Sequence, residues 1–195
     1  MAGRLEFKAF WNAHPLNQSE QHPCRLPKDM VVNGRTLYRG LPSYHNQCAV
    51  RLGVALKGAG LLPGDLGNPR SCDFHDKSEM HILNATELAD ALTRAKIDGL
   101  GPVEKLVGGD PAQFYPKIFG RRGIVFFKDY WYRTIEQKAP DGGIIKAKEP
   151  NASGDHIDAW NGYRASSAWM MEWFSWLGYY SNYAESREIW FWEIT

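Results

Sequence analysis

The chain has 195 residues, 44% of them hydrophobic, with 23 Lys and Arg against 22 Asp and Glu for a net charge of +1. That length and apolar share suit one domain with its own core and exclude a disordered chain. The charge balance supplies no basic field for nucleic acid or an anionic membrane surface, and no apolar run approaches the ~20 residues of a membrane span.

In chain order, Met1-Ala2-Gly3-Arg4-Leu5-Glu6-Phe7-Lys8 is charged where a secretory signal would be apolar. Synthesis as a soluble cytoplasmic chain without a signal peptide is therefore expected. Leu5, Phe7, Ala9, Phe10 and Trp11 are compatible with a short helix ending before Pro15. Residues 13–45 hold Pro15, Pro23, Pro27 and Pro42 with little periodicity, so an extended arm or loop is expected there.

Asn46-Gln47-Cys48-Ala49-Val50-Arg51-Leu52 follows. Asn46 has the chemistry of an N-cap, because its side-chain oxygen can accept an orphan backbone N–H. Cys48, Leu52, Ala55, Leu56 and Ala59 fall on one helical face, and Gly58 and Gly60 end the run. A thiol in the first turn feels the positive end of the helix dipole, which favours thiolate, and the free N–H groups there could hold an oxyanion. A buried cysteine also packs as a small hydrophobe, so the position alone does not make a nucleophile. Arg51, one turn along, is expected to pair with a carboxylate in the fold.

Residues 60–78 are rich in Gly, Pro, Asn and Asp and read as loop. Cys72 and His75 have C-x-x-H spacing with His81 close by, but a second paired set is missing, which leaves the signal for zinc weak. Three cysteines make an odd count: either Cys24 pairs with Cys72 and leaves Cys48 free, or all three are reduced thiols.

Asn84-Ala85-Thr86-Glu87 resembles a capping box opening a helix with Leu88, Ala91, Leu92 and Ala95 as its stripe. Asp110-Pro111 to Phe119 is a short helix or turn, and Gly123 to Lys128 a strand buried on both faces. Residues 136–154 form a polar connection. Alternation in Gly154-Asp155-His156-Ile157-Asp158-Ala159-Trp160-Asn161-Gly162 predicts a strand with His156 and Asp158 on one face. The window Ser166 to Ser181 is the most aromatic in the chain, either a platform for sugar rings or a partner, or a buried lid. Glu188 to Ile194 is a last strand. Helices first and an antiparallel sheet after give an α+β fold, with N-terminal helices packed on a small antiparallel sheet. We expect one domain over residues 1–195, an N-terminal helix and long loop over 1–45 and a core over 46–195.

A histidine at a strand start facing a helix N-terminus that bears cysteine is the papain-like arrangement, in which imidazole takes the thiol proton and later returns it to the leaving amine. Asn46-Gln47-Cys48-Ala49-Val50-Arg51-Leu52 with Gly60 resembles the nucleophile helix of the type VI secretion amidase effectors of family four. Gly123-Ile124-Val125 resembles the strand before their catalytic histidine, and His156-Ile157-Asp158-Ala159-Trp160-Asn161-Gly162 their histidine signature. Ile189-Trp190-Phe191-Trp192-Glu193-Ile194 resembles their closing strand. The resemblance runs over residues 40–195. It implies an NlpC-like, papain-fold cysteine peptidase without a cofactor, exported by type VI secretion machinery into the periplasm of a rival cell. There it would cut between D-glutamate and meso-diaminopimelate in the peptidoglycan stem peptide, and a cognate immunity protein would protect the producer.

By position the resemblance makes Cys48 the nucleophile, its backbone N–H an oxyanion donor, and His156 the general base and acid. In some relatives an Asp beyond the Trp-Asn-Gly orients the histidine, but Tyr163-Arg164-Ala165-Ser166-Ser167-Ala168 holds no carboxylate. Asp158 is the nearest substitute, equally open to a solvated or substrate-binding role. Asn161 is a further candidate for the third member that orients the histidine and Glu172 a weaker one, while Asn161 and Trp160 are also oxyanion or substrate candidates. Two other readings stay open: a metal-dependent wall hydrolase using Cys72, His75 and His81, and a non-catalytic wall-binding module built on the aromatic C-terminal third.

Overall fold

The structure is a computed structural model that describes residues 3–132, 134–138, 143–148, 154–167 and 186–195. Helix α1 (Phe7–Ala13) forms where the first apolar cluster predicts it, and a 3-10 turn over Pro15–Gln18 follows. The arm beyond holds a hairpin, β1 (Met30–Val32) with β2 (Arg35–Leu37), in place of the uninterrupted loop expected. Its signal is Asn33-Gly34, both at positive φ (49° and 73°), as a tight type I′ connection requires.

Helix α2 (Cys48–Gly58) is buried over most of its circumference, at Ala49, Val50, Leu52, Ala55 and Leu56 among others. An all-round apolar helix has neighbours on every side. One of them comes very close: a Cβ on Gly53 would lie 2.0 Å from the Met80 carbonyl oxygen. Helix α3 (Ala85–Arg94) starts as read, Asn84 Oδ1 accepting the Glu87 N–H at 2.9 Å. The reciprocal half of the capping box is absent, because the Glu87 carboxylate accepts the Arg70 N–H instead, at 2.7 Å.

Strand β3 (Glu104–Val107), helix α4 (Pro111–Ile118) and strand β4 (Gly123–Trp131) come next. Then come β5 (Thr134–Lys138), β6 (Ile144–Lys148), β7 (Gly154–Trp160) and β8 (Glu188–Glu193). The β5–β6 hairpin corrects the expected polar connection. Ile144 and Ile145 stand side by side and are both exposed, so no alternation marks the strand. Strand β3 carried too short a pattern to be read, four residues alternating between partly buried and exposed.

The main sheet is antiparallel in the order β3-β8-β4-β7, so β7 is an edge. Central β4 is buried on both faces, as its apolar run predicts. One face, with Ile124, Phe126, Ile157, Ala159, Trp190 and Trp192, packs against α1, α2 and α3. The other, with Val125, Phe127, Trp160, Ile189 and Phe191, packs against Phe114 and Ile118 of α4. The result is the α+β architecture expected, with the amino end of α2 brought to edge strand β7. The aromatic window beyond Ser167, with Glu172, lies outside the described residues.

Candidate active site

Cys48 is the first residue of α2, 6% exposed. The cap differs from the reading in one detail. Gln47 is the cap residue, and its fully buried side chain is spent on the backbone of Cys24, accepting that N–H at 2.9 Å and donating to that carbonyl at 2.8 Å. Asn46, one residue earlier, covers the open helix end, its Oδ1 accepting the Cys48 N–H at 3.1 Å. The backbone donor expected to face an oxyanion therefore has an intramolecular partner in the resting protein.

His156 and Asp158 project from the same face of β7, paired in register with Phe127 and Val125. Cys48 packs with the cluster on the opposite face, so thiol and imidazole meet around the outer edge of the strand. The thiol hydrogen-bonds to the His156 imidazole, and the Ile157 N–H points at the sulfur. Burial alone would push the thiol pKa up. The hydrogen bond and charge of His156, the Ile157 N–H and the charge of Arg51 outweigh it and leave the pKa lowered. Burial likewise opposes a charged imidazole, yet Asp158 and Cys48 together raise His156 to about 9. Both shifts favour a thiolate beside an imidazolium.

Asp158 is 2% exposed and surrounded by donors. Oδ2 accepts the Ser167 N–H at 2.7 Å and lies 3.5 Å from His156 Nε2, while Oδ1 accepts its neighbour Ala159 N–H at 2.8 Å. His14, 1% exposed, places Nε2 3.2 Å from the same Oδ1. That contact is an electrostatic approach at an angle too bent for a hydrogen bond. Burial works against ionisation here too, but contacts with His14 and His156 hold the carboxyl well below its usual range. With Nε2 of His156 turned to Asp158, Nδ1 is the nitrogen left for sulfur. Phe127 stacks on the His156 ring at 6.4 Å and Tyr130 meets it edge-on at 6.3 Å, restricting its rotation.

Two residues of this site were not read from the sequence. Ser167, in the stretch without a carboxylate, places Oγ 3.1 Å from His156 Nε2. His14 sits in the proline-rich arm, and nothing in local pattern ties it to a strand so far along the chain. The other candidates are occupied elsewhere. Trp160 Nε1 donates to the Ile118 carbonyl at 3.1 Å on the α4 side, and Asn161 Oδ1 accepts the N–H groups of Tyr163 and Arg164 at 3.0 Å each, shaping a turn. Arg51 Nε donates to the Gln21 carbonyl at 3.0 Å, not to a carboxylate among the described residues.

Cys24, Cys72, His75 and His81 form a second cluster, all three cysteines of the chain being free thiols. Cys48 has no part in it. The pairing of Cys24 with Cys72 is thus one of proximity, without a disulfide.

A family model described as type VI secretion system amidase effector protein 4 matches residues 44–192, which include Cys48, His156 and Asp158. No curated protein and no solved structure matches the chain.

Proposed function

From the premise that this chain belongs to the family of type VI secretion amidase effector protein 4, we propose that Cys48 and His156 carry its chemistry. The family is a hydrolase of papain-like, NlpC-like fold that degrades peptidoglycan in the target cell. What supports the assignment is the hydrogen-bonded thiol–imidazole pair at a helix N-terminus, its proton shifted towards nitrogen.

The Cys48 thiolate attacks the scissile amide carbon, and the carbonyl π electrons move onto oxygen. The Cys48 N–H receives that oxyanion as the Asn46 side chain gives way. The C–N bond breaks as the His156 imidazolium protonates the departing amine, leaving an acyl thioester. Water, losing a proton to His156, then adds to the thioester and expels the thiolate. Asp158 acts as a positioning residue: it holds one tautomer and orientation of His156 and stabilises the imidazolium. Ser167 buttresses both.

The bond we assign is that between D-glutamate and meso-diaminopimelate, with a cognate immunity protein as partner. The sequence resemblance carries both assignments. The test is digestion of purified peptidoglycan fragments with mass spectrometry of the products. The expected product carries a new free amine on diaminopimelate, and Cys48→Ala abolishes it while circular dichroism is unchanged. Undiminished turnover in Cys48→Ala overturns the thiol mechanism, and a different new terminus overturns the bond.

A further inference from the structure

The loop read as an incomplete C-x-x-H set acquires its missing ligand from far upstream. Cys72 Sγ lies 3.2 Å from His75 Nδ1 and 3.7 Å from His81 Nδ1, and Cys24 Sγ lies 3.7 Å from His75 Nδ1. All four donor atoms fall within 4.8 Å of one another. Tetrahedral zinc, with bonds of about 2.3 Å to sulfur and 2.0 Å to nitrogen, sets its ligands about 3.3–3.8 Å apart. Three of the six donor pairs stand at 3.2–3.7 Å and the others within 4.8 Å, so the four side chains converge on one point that small inward movements would close to that spacing.

We infer that Cys24, Cys72, His75 and His81 bind one zinc-class divalent cation, a structural site that ties the N-terminal arm to the nucleophile helix. The donor set is the one this metal selects: two soft thiolates and two imidazoles. On binding, each thiol releases its proton and donates a lone pair, so two protons leave as one dication enters and the buried centre is neutral. No oxidant is consumed.

Local structure supports a built site. The Cys72 N–H donates to the His81 carbonyl at 2.9 Å and the Leu83 N–H to the Arg70 carbonyl at 3.1 Å, so paired backbone presents Cys72 and His81 together. Cys24, Cys72 and His81 are buried, and His75 half-buried closes the cluster from outside. Val50 of α2 packs against both cysteines. Four protein ligands fill a tetrahedron and leave no place for water, which makes the centre structural and not hydrolytic. One link to the active site is direct: the backbone of Cys24 is clamped at N–H and carbonyl by the side chain of Gln47, the residue before Cys48.

The experiment is metal analysis of the intact chain purified without chelator, then exchange to cobalt(II). We expect one zinc per chain, and in the cobalt form the visible bands of a tetrahedral ion with thiolate-to-metal charge transfer in the near ultraviolet. Cys48→Ser keeps the full stoichiometry and spectrum, which assigns the signal away from the active site. Cys24→Ser and His75→Ala lose it. Wild-type protein that takes up no metal on reconstitution overturns the inference. So does an unchanged cobalt spectrum in folded His75→Ala, or an intact mass two hydrogens short with Cys24 and Cys72 in one linked peptide. Should Cys24→Ser fail to fold, the wild-type, Cys48→Ser and His75→Ala measurements decide it alone.

Discussion

Two cysteine–histidine sites lie on opposite flanks of α2, and sulfur does different work in each. At the helix N-terminus one thiol meets one imidazole, with a carboxylate behind the ring and a backbone N–H aimed at sulfur. These groups stabilise a charge-separated pair and leave the thiolate a free lone pair, as a nucleophile requires. On the flank, burial pushes the Cys24 thiol up to about 12 and, above all other influences, His81 down to about 4. Those groups are neutral until something with positive charge enters. Residue type does not separate the two sites; the number of converging donors and the sign of the local field do.

The largest expected effect comes from removing the charge behind the imidazole. The Ala159 and Ser167 N–H groups and His156 approach Asp158 as donors, and His14 stands 3.2 Å from its Oδ1. Asp158→Asn keeps the shape but turns an NH2 group toward at least one of them. The expected loss in kcat/KM is about a hundredfold or more, the scale of general acid–base catalysis, together with a lower Tm. Calorimetry and the peptidoglycan digestion assay measure the two. Because Asp158 acts through His156, its loss must also shift the pH profile, whereas a purely structural role would leave the shape of that profile intact.

A smaller effect, a tenfold change per pH unit, is expected on the limbs of that profile. The reactive pair needs His156 protonated, so kcat/KM falls as pH rises through about 9, where the raised imidazole titrates. The acid limb follows the lowered thiol and lies below the ordinary cysteine range. Stability behaves differently. Alone, His156 with its raised pKa contributes stability fully present below 6.5 and lost as pH rises through about 9. Cys48, lowered from 9.0, contributes stability present above that value and lost as pH falls through its folded pKa. Between 6.5 and 9 these contributions offset, since the pair moves a proton from sulfur to nitrogen without taking one up. Across 6.5 to 9 the pair therefore leaves the unfolding free energy little changed, and the loss of activity begins near 9, where His156 titrates. In Cys48→Ala the thiolate is gone, and imidazole NMR is expected to show His156 titrating below 9.

How much of this was legible in the sequence follows from the range over which each residue acts. The α2 stripe, the Asn84 cap and the apolar run of β4 are local patterns, and each formed where it was read. The local settings of Cys48 and His156, a helix start and an alternating strand, leave their pairing open, and the family resemblance supplies it. No local pattern gives His14 its place, and Cys24 is read only as a candidate disulfide partner of Cys72, not as a metal ligand. Both lie in a proline-rich arm without periodicity, and their partners, Asp158 and the 72–81 loop, are set by tertiary packing. Ser167 carries no motif of its own, because a serine next to another serine has no local pattern that ties its hydroxyl to an imidazole eleven residues back.

The smallest effect tests whether the two flanks are mechanically joined. Gly53 lies on α2 where the chain segment bearing His81 crosses it. An added Cβ would sit 2.0 Å from the Met80 carbonyl oxygen and 3.3 Å from Ile82 Cδ1. Backbone cannot yield there as a flexible side-chain tip would, so Gly53→Ala must push the 80–82 segment off the helix. The expected cost is about 1–3 kcal/mol of overpacking, read as a lower Tm. Displacing Met80 also displaces His81, so the cobalt spectrum should broaden or weaken while the thiol still reacts as a lowered-pKa nucleophile. Gly58→Ala is the matched control, because its Cβ would meet Ala13 Cβ at 2.3 Å on the α1 side, away from the cluster. If both variants lose stability but only Gly53→Ala alters the metal spectrum, the helix is a shared wall whose two faces can be perturbed separately. Equal spectral change in both would mean that α2 moves as a rigid rod and carries strain from one site to the other.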